Sequence, residues 1–191
     1  MWRVALKKLR TYVSLFLVAG SVILLDQLSK YLVRTYVEFG GFWAPWPWLI
    51  PYTRIVHWNN TGAAFGMFQG FNSVFQILAI IVAIAILYYY PQVPKQDWPL
   101  RLAMGLQLGG AIGNLIDRLK FGTVTDFVSV GNFAVFNVAD ASITVGVVIM
   151  VAWMWMKERR QKANPPPSTP QEPAPASEKA LDSLPEEVKG E

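Results

Sequence analysis

The chain has 191 residues, 53% of them hydrophobic and only 16% charged, with a formal net charge of +4. That charge content is well below the roughly 25% of a soluble domain and argues against a soluble bundle of buried helices. There is no cysteine and a single histidine, His57, which excludes disulfides and thiolate catalysis and leaves a Ser–His–Asp triad or a zinc site almost no residues to draw on.

Residues 1–10 are a basic lead-in carrying Arg3, Lys7, Lys8 and Arg10. The apolar block 11-TYVSLFLVAGSVILL-25 follows and runs on through Asp26 to about Val33, the roughly 20 residues that a bilayer-crossing helix needs. Asp26, Gln27 and Lys30 follow it where a cleaved leader would show small residues, so a retained first span is expected. Asp26 and Lys30 are four apart and share a helix face. They can form an internal ion pair or contact a substrate.

The segment 34–73 is rich in aromatics and turn formers. Pro45, Pro47 and Pro51 forbid a long helix across it. The alternation in 52-YTRIVHW-58 predicts a strand. Trp43, Trp46, Trp48 and Trp58 suit the headgroup level of a membrane, so a small structured platform on the outer surface is expected. In 59-NNTGAAFG-66 the small residues let another backbone pass close, and the Asn60 amide can bond a bound peptide or merely close a turn.

Span two is 74-VFQILAIIVAIAILYYY-90, and the short proline-bounded link 91–99 makes span three its neighbour. Span three, 100-LRLAMGLQLGGAIGNLI-116, carries Gly109 and Gly113 as a small-xxx-small pair for close helix packing. Asn114, Asp117 and Arg118 stand at its outer end. A helix C-terminus disfavours an aspartate, so Asp117 is expected to have a strong partner or to anchor the following loop. The run 123-TVTDFVSV-130 predicts a strand, with Gly131–Asn132 as a turn. Span four starts near Ala139 and ends at 157-KERR-160. Asn137 stands where its N-cap would be, three residues before Asp140. The Pro- and Glu-rich stretch 163–191 has too little apolar surface to offset its ordering entropy and is expected to be a disordered tail. Residues 1–162 then form one membrane domain.

Basic residues flank the spans on one side: the N-terminal four, Lys95 and Arg101, and Lys157, Arg159, Arg160 and Lys162. The positive-inside rule puts both termini in the cytoplasm and the segments 34–73 and 117–137 outside. The basic ends can meet anionic lipid; no folded basic patch suggests nucleic acid. Asp126 and Asp140 then both fall on the outer side, among apolar neighbours. A carboxylate near a bilayer is a functional hypothesis by default. Asp140 also suits the first turn of a helix, where free N–H groups favour an anion. If the two meet, they share one proton and can serve as acid and base on one scissile bond.

The elements 26-DQLSK-30, 60-NTGAAF-65, 109-GGAIGNLIDR-118, 124-VTDF-127 and 136-FNVAD-140 occur in register over roughly residues 10–157. Through them the chain resembles the bacterial lipoprotein signal peptidases (signal peptidase II). The resemblance implies four transmembrane helices with a small extracytoplasmic β platform and a short amphipathic or loop element, in the bacterial cytoplasmic (inner) membrane. It implies an aspartyl endopeptidase, the target of globomycin, that needs no cofactor or metal. Its substrates would be diacylglyceryl-modified prolipoproteins, cut N-terminal to the lipid-modified cysteine near the outer leaflet. Asp126 and Asp140 match the catalytic pair. Asp26, Lys30, Asn60, Gly62, Gly110, Asn114, Asp117, Arg118, Asn137 and Ala139 match supporting or substrate-binding positions. A site built from one chain needs no partner subunit, so a monomer is expected.

Two other classes remain at this level. A small transporter or ion-conducting protein could use intramembrane Asp and Lys residues as a proton path, although spans one and two share no motif with spans three and four. A purely structural subunit leaves the two outward aspartates without a purpose.

Overall fold

The computed structural model describes residues 2–62 and 70–163, with side chains from residue 11 onward. Ala63 and Ala64 of the small-residue segment, and the tail from 164, lie outside the described residues. The described residues form four α-helices: α1 (Trp2–Tyr36), α2 (Asn72–Tyr89), α3 (Trp98–Phe121) and α4 (Val138–Ala163). Between them lie β1 (Phe42–Trp43), β2 (Thr53–Asn60) and β3 (Val124–Val130), an antiparallel sheet in the order β1-β2-β3. The chain divides into two compact units, Met1–Trp155 and Met156–Glu191. In the second, the described residues complete α4 and carry an exposed i,i+4 ion pair, Lys162–Glu158.

The helix expected from residue 11 begins at Trp2, so the basic lead-in is itself helical. Lys and Arg are good helix formers, and no proline or glycine interrupts the first ten residues.

In α1 the buried residues are Leu15, Ala19, Val22, Asp26, Lys30 and Val33, while Phe16, Leu17, Leu24, Leu25, Leu28 and Leu32 are exposed. The buried seam repeats every three or four residues, as one helix face must. Its distinction is that ions lie inside and leucines outside, the reverse of a helix whose surroundings are water.

By length and apolar character, α1, α2 and α4 can each cross a membrane. The remaining helix, α3, is less apolar for a physical reason. It is the most enclosed of the four, with Gly105, Gly109, Gly110, Gly113, Asn114 and Asp117 all buried. A Cβ on Gly105 would stand 2.8 Å from Val18, one on Gly109 2.7 Å from Val22, and one on Gly113 2.7 Å from a carboxylate oxygen of Asp26. The expected small-xxx-small pair is therefore a three-glycine stripe that seats α1. Gly110 faces α4 instead, where a Cβ would meet the Ala139 carbonyl at 2.5 Å. Leu15, Ala19, Ile86, Tyr90, Met104 and Leu108 join α1, α2 and α3 in one core.

At its end α3 stops on Gly122 in the left-handed conformation (φ 73°), which any side chain would strain. The chain turns at once into β3. Pro47–Leu49 makes only a single 3-10 turn, as its prolines require. The platform leaves Phe42, Trp43, Trp46, Trp48, Tyr52 and Trp58 exposed.

Candidate active site

Two polar clusters meet where the ends of α1 and α3 adjoin β3 and the start of α4. The first is ionic. Lys30 and Asp26 pair at 2.9 Å, and Lys30 and Asp117 at 3.3 Å, all three with fully enclosed side chains. Arg34 approaches Asp117 at 3.7 Å. Gln27 donates to both Asp26 and Asp117 at 3.1 Å. Two cations thus face two carboxylates, and the remaining oxygens are used. The Thr125 N–H donates to Asp117 at 3.1 Å and the Ala139 N–H to Asp26 at 3.0 Å. Asp117 has the strong partners that its place at a helix C-terminus demanded. Asp26 and Lys30 take the structural alternative.

The second cluster holds the two aspartates singled out by their flanking residues. Asp126 is on β3, opposite Trp58 of β2, with Asn60 diagonally across the ladder. Asp140 stands in the first turn of α4. Asn137 joins them. Its side-chain amide donates to Asp126 at 2.7 Å, while its backbone N–H donates to Asp140 at 3.2 Å. Its side-chain oxygen accepts from the Asp140 N–H at 2.9 Å. This reciprocal exchange is a capping box with aspartate in the third helical position. Asp140 therefore caps α4 and also faces Asp126 through a shared neighbour.

Each carboxylate also receives a second amide whose orientation is fixed from behind. Lys30 donates to the Asn114 oxygen at 2.9 Å. An ammonium has only donors, so the Asn114 oxygen must face it, and the NH2 end reaches Asp140 at 2.7 Å. In the same way the Gly62 N–H occupies the Asn60 oxygen at 2.9 Å. That turns the Asn60 NH2 onto Asp126, also at 2.9 Å. The ionic cluster thus orients the amide that reaches Asp140, and the backbone of Gly62 the one that reaches Asp126.

Asp126 is almost wholly enclosed. Burial first, and then the charge of Asp140, push its carboxyl up to about 7; the hydrogen bonds from Asn60 and Asn137 pull the other way. At neutral pH the pair therefore readily holds one proton between its members.

Both aspartates line a cleft of about 770 Å³ between α2, α3 and α4. Asn60, Asn114 and Arg118 share its polar end. Leu78 and Val82 of α2 and Ile143 and Val145 of α4 form its apolar length. Of the residues lining it, Arg118 is the only cation. Its guanidinium lies over the Phe75 ring, 5.2 Å from the centroid, and makes no hydrogen bond among the described residues. Its charge acts on Asp140, Asp126 and Asp117. Gly110 and Ala139 are packing contacts between α3 and α4. Among the described residues no three of His, Asp or Glu converge as a metal site would require.

Gln27, Arg34 and Thr125 complete the ionic cluster without having been singled out. Gln27 is adjacent to Asp26, and Thr125 to Asp126, in two of the five elements, so proximity in the sequence was their one signal. Arg34 had none, because only the fold brings the end of α1 beside β3, where it also donates to the Thr125 hydroxyl at 2.9 Å.

A family model described as Signal peptidase (SPase) II matches residues 18–156. The lipoprotein signal peptidase of Anoxybacillus flavithermus is 38% identical over 151 residues, covering 77% of this chain and 88% of that protein. That of Moorella thermoacetica is 42% identical over 134 residues, 70% of this chain and 87% of its own. Among solved structures, a bacterial membrane enzyme determined by the in meso method at 2.3 Å superposes with a TM-score of 0.70 at 30% identity. The match covers 81% of this chain and 93% of that one.

Proposed function

Since the chain belongs to the signal peptidase II family, and so is a membrane endopeptidase of the aspartyl type acting on lipoproteins, we propose that Asp126 and Asp140 are the pair that cuts. The observation that carries this is the two-layer arrangement: Asp126 and Asp140 share Asn137 and open onto the cleft, whereas Asp26 and Asp117 are consumed by cations and backbone. The ionised member of the pair takes a proton from water as its oxygen attacks the scissile carbonyl. The protonated member gives its proton to the carbonyl oxygen; the tetrahedral intermediate then breaks its C–N bond as the nitrogen takes the proton first drawn from water and a hydroxyl returns its proton to the other carboxylate. Arg118, at the polar end of the cleft, offers its charge to the substrate backbone.

The substrates are precursors whose cysteine carries diacylglycerol, cut on the N-terminal side of that cysteine. The cleft supports this: its length is mostly apolar and its charged groups gather at one end with the pair, which suits acyl chains entering from the bilayer beside a peptide bond. All four helices cross the membrane. At 24 residues α3 is about 36 Å long, enough for a hydrocarbon core of about 30 Å, and its low apolar content reflects neighbours rather than lipid on most of its faces. The charge bias puts both termini in the cytoplasm and the sheet outside, with the exposed tryptophans at headgroup level. The enzyme works as a monomer.

The test is turnover of a diacylglyceryl-modified precursor by Asp126→Asn, Asp140→Asn and Asp117→Asn. The first two should fold, bind the precursor and fall by at least about a thousandfold, as removal of an essential acid or base does. Near-normal turnover by either, with loss only in the third, would move the pair to Asp117.

A further inference from the structure

Gln107 of α3 lines the cleft among apolar neighbours, and its side-chain amide nitrogen is buried with no hydrogen-bond partner. The side chain is not loose: a Cβ on Gly146 of α4 would stand 2.9 Å from Gln107 Cγ, so α4 closes directly over its stem. An amide without a partner in an apolar, water-poor wall is destabilising. A leucine of similar size would line the same wall without that cost. The cost is offset when something in the cleft brings an acceptor to the NH2 group, whose terminal torsion is broad and can turn to meet it.

Position identifies the acceptor. Gln107 precedes Asn114 by seven residues, about 10 Å along the helix axis, on the side leading toward the middle of α3. An extended chain covers that distance in about three residues. The part of the substrate running into the membrane from the scissile bond is its apolar signal segment, whose side chains carry no acceptor. Its backbone carbonyls do, and they lack water there. The ester carbonyls of the lipid are attached beside the cysteine sulfur, at the polar end.

We propose that Gln107 is a substrate-positioning residue: its NH2 group binds a backbone carbonyl about three residues N-terminal to the scissile bond and holds the signal segment extended in the cleft. This rests on the assignment of the cleft as the active site and deepens it by naming what the apolar wall recognises.

The test uses full-length enzyme in lipid nanodiscs with a synthetic diacylglyceryl precursor. Gln107→Leu should raise KM about tenfold with kcat within about twofold, the signature of lost uniform binding, and should not lower the thermal midpoint. Gln107→Met serves if the leucine variant does not accumulate. Precursors with an alkene replacing one peptide bond, two, three or four residues before the cut, locate the acceptor. The unaltered enzyme should lose about tenfold at one of these positions, and Gln107→Leu should lose nothing further there. A precursor with ether-linked lipid should leave the Gln107 effect intact. An unchanged KM in Gln107→Leu, additive losses at every position, or an effect that vanishes with the ether lipid would each overturn the proposal while leaving the aspartate pair standing. Failure of the unaltered enzyme to cut the parent precursor would instead remove the active-site assignment itself.

Discussion

Burial on β3 and the neighbouring charge of Asp140 raise the Asp126 carboxyl to about 7, from an ordinary value near 4. A carboxyl raised in the folded state favours folding most while it is protonated. Its contribution is full below about pH 4, declines as pH rises, and is gone above about 7. The thermal midpoint should therefore fall between about pH 5 and pH 8, and Asp126→Asn should flatten that slope and be the more stable protein at pH 8. A steeper slope in Asp126→Asn would assign the titration to another group. Lys30 tests the other cluster. Removing its charge leaves Asp26 and Asp117 enclosed with too few partners, a loss of about 3–5 kcal/mol for a buried pair. Lys30→Met should thus greatly reduce folded yield, whereas Lys162→Met, which breaks only the exposed pair with Glu158, should change the midpoint by nothing measurable. Equal effects would mean that the ionic cluster does not hold α1 to α3.

At the scale of elements, α3 organises the molecule because it has little side chain to keep neighbours away. Its glycines admit α1 on one face and α4 on another, and this close approach brings Asn114 between Lys30 and Asp140. Gly109→Val pushes its methyls into Val22 and the Ala19 carbonyl. It should destabilise by about 1–3 kcal/mol and also lower turnover, because a displaced α1 takes Lys30 away from Asn114. Gly20, on α1 with nothing within 4 Å of its missing Cβ, is the control. Gly20→Ala should leave turnover unchanged, and equal losses in the two variants would show that helix spacing does not govern the site.

For the whole molecule, sidedness is the property on which substrate access depends. Single cysteines introduced at Ser168 and at Gly131, labelled in right-side-out and inverted vesicles, should react from opposite sides, with Gly131 outside. Labelling of both from one side would mean that α4, the one helix between them, does not cross, and would overturn the four-span arrangement. The same experiment checks the platform, whose exposed tryptophans suit the outer headgroup level only if Gly131 is on that side.

The sequence by itself determined the four spans and the strands β2 and β3, though not β1, because hydrophobic length, β-branched alternation and proline placement act locally. It also determined the family: five short elements in register over most of the chain are hard to assemble by any other route. It singled out Asp126 and Asp140, since an aspartate among apolar neighbours needs an explanation wherever it lies. Local chemistry allowed Asp140 two roles without choosing between them, and only the fold revealed that Asn137 makes them compatible. Tertiary structure alone decided the partners of Asp26, Lys30 and Asp117, the engagement of Arg34 and Thr125, the stacking of Arg118 on Phe75 and the stranded amide nitrogen of Gln107. These depend on helix rotation and on separations of up to more than a hundred residues, as between Asp26 and Ala139. Periodicity reports which residues share a face, but which face meets which neighbour is set by packing around α3.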